Sequence, residues 1–516
     1  MSKINKMLQA VLLMCLWAVS AACSDKDEYV EEVNFVVEHD ALTFMKEASS
    51  YSLLIKSPVA PQVTCGAVWV DFSLEKLTAT IYQLNVAVGE NKTSERTADI
   101  TIISGDQSRT LTVDQKELAN ASPYEVRDRL GLGMNLGNHM DAYKNYVADE
   151  LCDTNVPITQ ELFDKIKAAG FSTLRIPVTW IGHIGPAPDY EIDGRLERVA
   201  EIVGYAEKAG LNIIINIHHD GSGGYSSKSP NFWLDFMGPA NSVVKNAEVE
   251  DQFRKVWTQI ANRFVDTGDF LIFEAMNEIH DGDWGWGANL TDGGHQYELV
   301  NEWNQVFVDA VRATGGKNRT RYLAIPGYCG GWELVDHLKM PKDPTVGRLM
   351  LTVHCYAPGK FNQEFENEDG ELTYYPEWGH TAAEDKKQPG GEEEEDIYNI
   401  FHTLQTNWVD KGYPVYIGEW TCCNRPAGRE SAFRDYYLEF FCKAAHDCGM
   451  TPIFWDNNGP GVGPTQGALF NRATGELIQQ NAVSVPIMVR AVTDKSADYT
   501  LRSVWDRAPA PEAPEK

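Results

Sequence analysis

The sequence predicts an α/β protein in two parts, a (β/α)8 TIM barrel preceded by a small Ig-like β-sandwich domain. The chain has 516 residues, more than one core of roughly 250 to 300 residues usually organises. From about residue 121 onward, eight apolar runs alternate with amphipathic helical patterns, as in a parallel barrel with crossover helices. Ahead of them, residues 33–118 form short alternating runs rich in Thr and Val, the pattern of half-buried strands. The composition, 43% hydrophobic, 11% aromatic and 23% charged, is that of an ordinary globular protein. A net charge of -29 argues against nucleic acid and anionic membrane surfaces as partners and for neutral or cationic ones. Plain solubility accounts for the charge equally well.

Residues 1–22 read as an export signal: Lys3 and Lys6, an apolar stretch from Ala10 to Val19, then small residues before Cys23. The stretch is too short to span a membrane as a helix. Ser20-Ala21-Ala22-Cys23 resembles a bacterial lipoprotein cleavage box, which makes Cys23 the expected lipid anchor. The following SDKDE resembles the acidic tag of surface-displayed lipoproteins in gut-type Gram-negative bacteria. An exported outer-membrane lipoprotein on the cell surface is therefore expected, with ordinary signal-peptidase cleavage as the alternative. Of ten cysteines, eight lie beyond Cys23. They form no C-x-x-C pair or zinc-type cluster, so no metal is expected, and the thiols are expected to be buried and free, with disulfides the alternative in an exported chain.

Within residues 33–118, RTADITII (96–103) and SRTLTVDQ (108–115) flank SGDQ, a hairpin signal. The R-T-A-x-I-T-I strand followed by one ending in V-x-Q resembles BACON domains, Ig-like modules on bacterial glycan-degrading lipoproteins. Such a module implies either a spacer or a sugar-binding surface, for instance at Trp69.

The barrel is expected over residues 122–488. Its candidate strands are GLGMNLG (131–137), TLRIPVTW (173–180), NIIINIHHD (212–220), FLIFEAMNE (270–278), YLAIPGY (322–328), LMLTVHCYAP (349–358), PVYIGEW (414–420) and PIFWDN (452–457). Runs this apolar suit strands covered on both faces. Leu196, Val199, Ile202, Val203 and Ala206 recur at helical spacing, as do Ile397, Ile400, Phe401, Leu404 and Trp408. The acidic run Glu392 to Asp396 suits the N-terminus of that second helix. Residues 359–391 are too long for an ordinary connection and predict an active-site loop or mobile insertion. Residues 490–516 read as a frayed tail.

In such barrels function collects where strands end at the carboxyl face. The ends here are polar: Arg175, His218-His219-Asp220, Asn277-Glu278, His354 with Tyr356, Glu419-Trp420 and Trp455-Asp456. Two glutamates from different strands suggest paired-carboxylate chemistry, in which one protonates a leaving oxygen while the other attacks the anomeric carbon or activates water. An approach of Arg175 to Glu419 is expected to depress that carboxylate's pKa, and a drier setting to raise that of Glu278. His218-His219 suggests no metal centre, because neighbours on a strand point to opposite sides. Trp284 and Trp286 offer flat faces either to sugar rings or to packing. Trp180, Trp233 and Trp378 read rather as packing residues.

The ordered set GMNLGN, TLRIPVTW, IINIHHDG, FEAMNE, VHCYAP, IGEW and FWDNNG resembles glycoside hydrolase family 5, a retaining group of (β/α)8 enzymes, in its broad β-1,4-glucanase branch. The resemblance implies an endo-acting β-1,4-glucanase with no cofactor, working on cellulose-like or mixed-linkage glucan, with xyloglucan and glucomannan as alternatives; a monomer is expected. It makes Glu278 the general acid/base and Glu419 the nucleophile. Asn277 would bond the sugar 2-hydroxyl, Tyr356 would orient Glu419 and Arg175 would support it. His218 and His354 would line the sugar site, with Trp455 as its platform and Asn138, His219 and Trp284 as further substrate-binding residues. One departure is NLGNHMDA, with His139 and Met140, where many relatives read NLGNTLDA; it bears on the neighbouring subsite. A non-catalytic glycan-binding lipoprotein is the competing class, although a retired enzyme would be expected to lose one of the two glutamates.

Overall fold

The computed structural model describes residues 33–221, 232–234, 242–280 and 295–511. The expected export signal, Cys23, Trp284 and Trp286 lie outside them.

The amino-terminal part is two four-stranded sheets facing each other. One carries Val36–Val37, Ser49–Lys56, Ile81–Val88 and Val70–Lys76; the other carries Ala41–Phe44, Gln107–Gln115, Arg96–Ser104 and Gln62–Cys65. Period-two alternation turns Leu53, Ile55, Leu84, Val86, Ile100, Ile102, Leu111 and Val113 into a common core. The SGDQ hairpin pairs Ser104 with Gln107 across a two-residue loop, where Gly105 takes a φ of 60° that a side chain would resist.

Eight parallel strands close the barrel in sequence order: Gly133–Leu136, Thr173–Ile176, Asn212–Ile215, Leu271–Glu274, Leu323–Gly331, Leu349–His354, Val415–Glu419 and Met450–Asp456, the last pairing with the first. They are called strands one to eight below. Helices at 160–168, 195–209, 243–263, 295–313, 394–407 and 429–447 form the crossovers. Between strands five and six a 3₁₀ segment, Trp332–His337, stands instead, because the prolines at 341 and 344 leave little room for a longer helix. The helix at 394–407 opens with Glu394, Glu395 and Asp396 in its first turn, so the acidic run sits where the helix dipole favours it.

The helix Pro123–Leu130 plugs the barrel's amino end. Its Val126 and Leu130 pack on the inward side chains Ile214, Ile272, Met350, Tyr416 and Ile453. Above this apolar layer the inward positions turn polar, and the site begins. The two parts meet at the same amino end: Thr43 bridges Thr345, just ahead of strand six, and Asp114 and Glu38 pair with Arg319 and Lys342.

The chain beyond residue 490 differs from the expected frayed tail. Helix Asn481–Thr493 is followed by a short helix, Leu501–Trp505. Tyr499 and Val504 are buried, and the Tyr499 hydroxyl donates to Glu439 at 2.8 Å. Two aromatics and a valine among the polar residues supply enough apolar surface to dock the segment.

Candidate active site

The polar strand ends predicted from the sequence converge on one cavity of about 780 Å³ at the barrel's carboxyl face. Asn138, His218, His219, Asn277, Glu278, His354, Tyr356, Glu419 and Trp455 all line it. Arg175 does not; it lies one layer down, wholly buried.

Arg175 organises the floor. Its Nε and Nη2 donate to the two oxygens of Glu274 at 2.9 and 2.6 Å, and Nη1 donates to Glu419 Oε1 at 2.7 Å and to Asn135 Oδ1 at 2.9 Å. Nη2 also donates to Asn277 Oδ1 at 2.7 Å, which leaves the Asn277 amide nitrogen free to donate. Glu274 further accepts from the Tyr416 hydroxyl at 2.6 Å and from Asn216 at 2.9 Å. The sequence reading missed Glu274, Asn135, Asn216 and Tyr416. A carboxylate inside an otherwise apolar strand, as in LIFEA, was the available signal, since a buried charge requires a partner.

Glu419 and Glu278 rise above this floor from strand seven and the end of strand four. The ligand atoms of Glu278, His354 and Glu419 lie within 4.8 Å of one another. Tyr356 donates its hydroxyl to Glu419 Oε2 at 2.8 Å, and His354 Nδ1 shares a 2.5 Å hydrogen bond with Glu278 Oε1. Burial pushes the Glu278 carboxyl up to about 8, against the pull of Arg175 and His219. Burial also pushes the His354 imidazole down to about 4, so near neutral pH the ring is uncharged.

Glu419 departs from expectation. Arg175 touches it as predicted, yet its carboxyl lies above the ordinary glutamate value, because burial outweighs His354 and Arg175. The guanidinium is shared with Glu274, whose own pKa is held down by it despite burial. Accepting from both Arg175 and Tyr356, Glu419 is still the better-stabilised anion of the pair.

The His218 and Trp455 rings lie parallel, at 3° with centroids 5.9 Å apart. A Cβ on Gly137 would come within 2.8 Å of Trp455 Cζ2, so glycine there lets the indole lie against strand one. His218 and His219, though adjacent in the chain, do not point apart. Strand three ends at Ile215, and the irregular backbone beyond brings the His218 and His219 rings to 4.4 Å. Asp141, His218 and His219 form a second cluster with metal-ligand spacing. The oxygens of Asp141 accept the Asn138 and His139 backbone N–H groups at 3.0 and 2.9 Å, which gives it a loop-holding task. His139 and Met140 are buried and do not line the cavity, so the NHMD departure does not face the neighbouring subsite. Trp420, Trp180 and Trp378 are buried in packing, and Asp456 pairs with Arg472 at 2.8 Å. In the amino-terminal part, the Arg96 guanidinium covers the Trp69 ring at 4.4 Å.

A parallel barrel whose cleft sets two carboxylates from different strands face to face has the arrangement of a retaining glycosidase, where the two groups stand ~5 to 5.5 Å apart. The model of the Cellulase family (glycosyl hydrolase family 5) matches residues 140–461, and that of BACON matches residues 60–116. Endoglucanase A of Paenibacillus barcinonensis is 33% identical over 74% of this chain and 92% of its own. A xyloglucan-specific endo-β-1,4-glucanase of Bacteroides ovatus is 29% identical over 93% of this chain and 96% of its own. Among solved structures, a broad-specificity endoglucanase from Bacteroides salanitronis is 50% identical, with a TM-score of 0.68 over 73% of this chain and 96% of that one. The chain belongs to glycoside hydrolase family 5 and is an endo-β-glucanase of the cellulase type.

Proposed function

We propose that the protein cleaves internal β-1,4 bonds of cellulose-like or mixed-linkage glucan by double displacement, with Glu419 as nucleophile and Glu278 as acid/base. The observation that carries this is the pair itself: Glu419 from strand seven and Glu278 from the segment following strand four, with carboxylate oxygens within 4.8 Å across one cavity, Glu419 accepting from Arg175 and Tyr356 and Glu278 keeping its proton up to about 8. A Glu419 oxygen forms a bond to the anomeric carbon as the glycosidic C–O bond breaks, and Glu278 gives its proton to the departing oxygen. Water then attacks the same carbon, its proton passes to the Glu278 carboxylate, and the bond to Glu419 breaks with configuration retained.

The free Asn277 amide donates to the sugar 2-hydroxyl, and Trp455 carries that sugar's face, with His218 and His354 beside it. Asn138 and His219 reach the next sugar. Xyloglucan is the second reading. It is favoured by the Bacteroides ovatus relative, which matches the amino-terminal part as well as the barrel. The protein works as a monomer, held at the outer membrane surface by lipid on Cys23, a reading supported by the residues around that cysteine.

New reducing ends measured on barley β-glucan, xyloglucan and glucomannan rank the substrates. Glu419→Gln is expected to lower turnover at least ~10⁴-fold while leaving the melting transition in place. Near-normal activity in that variant overturns the assignment.

A further inference from the structure

Residues 359–391 supply Gln363, Glu364 and Gln388 to the cavity wall. Which sugars they face follows from the chemistry just proposed, on which this inference rests. A general acid reaches the oxygen joining the sugar on Trp455 to the next one, so the leaving part of the chain lies beyond Glu278. The last residues of strand five stand behind Glu278: a Cβ on Gly330 would lie 3.5 Å from Glu278 Cγ. Three residues on, Glu333 lines the cavity close enough to Glu392, the residue directly after the segment, to feel its charge. The segment therefore faces the leaving-group sugars.

Its own secondary structure is slight, one turn at Gly359–Asn362 and a hairpin of two-residue strands, Phe365–Glu366 and Leu372–Thr373. The chain following Glu419 holds it. The Cys423 N–H donates to the Asn362 carbonyl at 2.9 Å, and the Tyr374 hydroxyl donates to Glu430 at 2.9 Å. Between these contacts sits Arg425, 1% exposed. Its guanidinium lies 3.4 Å from the Tyr374 ring centroid and 5.1 Å from that of Phe361, and donates to the Phe361 carbonyl. Among the described residues no carboxylate pairs with it. A buried cation without a counter-charge is costly unless something else receives it, and here two aromatic faces do.

We propose that Arg425 is a positioning residue for the leaving-group side of the cleft. Stacked on Tyr374 and Phe361, it fixes residues 359–391 relative to Glu419, six residues upstream, and so determines how well sugars beyond the cleaved bond are used.

Arg425→Met and Tyr374→Leu are compared with the parent on cellohexaose and on nitrophenyl β-cellobioside, which puts no sugar beyond the cleaved bond. For both variants kcat/KM on cellohexaose is expected to fall ~10- to 100-fold, mainly through KM, as a misplaced binding wall costs on that order. On the nitrophenyl substrate it stays within about twofold, and Tyr374→Phe, which keeps the ring, follows the parent on both. Parallel losses on the two substrates, or no loss on either, overturn the proposal. Should Arg425→Met fail to fold, Tyr374→Leu carries the same comparison. The substrate ratio is independent of the Glu419→Gln result, so a failed catalytic assignment and a failed Arg425 assignment are told apart.

Discussion

Glu278 is asked to stay protonated at a pH where an ordinary glutamate is ionised, and burial is what allows it. kcat/KM is accordingly expected to fall as pH rises through about 8, where Glu278 loses its proton. The acid limb reports Glu419 and lies above the ordinary value of 4.5, since burial raises that group too. The same shift costs stability. Between 4.5 and about 8 the unfolded chain ionises Glu278 while the folded one keeps it neutral, so stability falls through that window. Glu278→Gln removes the penalty: its melting temperature should exceed the parent's most above pH 8 and approach it near pH 4. On activity it should cost ~10²- to 10⁴-fold on glucan, and an unchanged alkaline limb in whatever activity remains would refute the assignment. These two glutamates were legible in the sequence because each closes an apolar strand at the end where barrels gather function. The net direction of the Glu419 shift was not legible, since it depends on Glu274 sharing Arg175, a contact made 99 residues apart in the chain.

At the level of elements, the barrel interior is layered: an apolar plug below, the Arg175 and Glu274 pair above it, and the catalytic carboxylates on top. A buried charge left without its partner typically costs ~3 to 5 kcal/mol; with Glu274 gone Arg175 keeps Glu419 but loses the carboxylate that meets its Nε and Nη2. Glu274→Ala is therefore expected to lower the melting temperature markedly and to impair Glu419 through the loosened guanidinium; a variant as stable as the parent would refute the pairing's role. Strand order and helix faces were readable because the residues at 196–206 and 397–408 repeat at helical spacing over long stretches. The crossover at 332–337 was not, because seventeen residues with two prolines carry no periodic signal. The ordered segment around Tyr499 was missed for a related reason: its few apolar residues do not repeat, and only the partner surface at Glu439 reveals their use.

At the level of the whole molecule, the β-sandwich sits on the amino end of the barrel, away from the cleft. Removing residues 33–118 should lower the melting temperature, because Arg319 and Lys342 lose their partners Asp114 and Glu38. Hydrolysis of soluble glucan should stay within about twofold, since no group from the sandwich reaches the cavity lining. A larger loss would reveal a coupling through the barrel floor. The other extremity behaves differently. Arg429 donates to the Ala510 carbonyl and pairs with Glu377 of the leaving-group wall, so the chain's last described stretch lies at the open end of the barrel. Immobilised on a solid support by its leading end, the enzyme would present its mouth outward to a fibre; tethered by its trailing end, it would turn that mouth toward the support and process only what diffuses in.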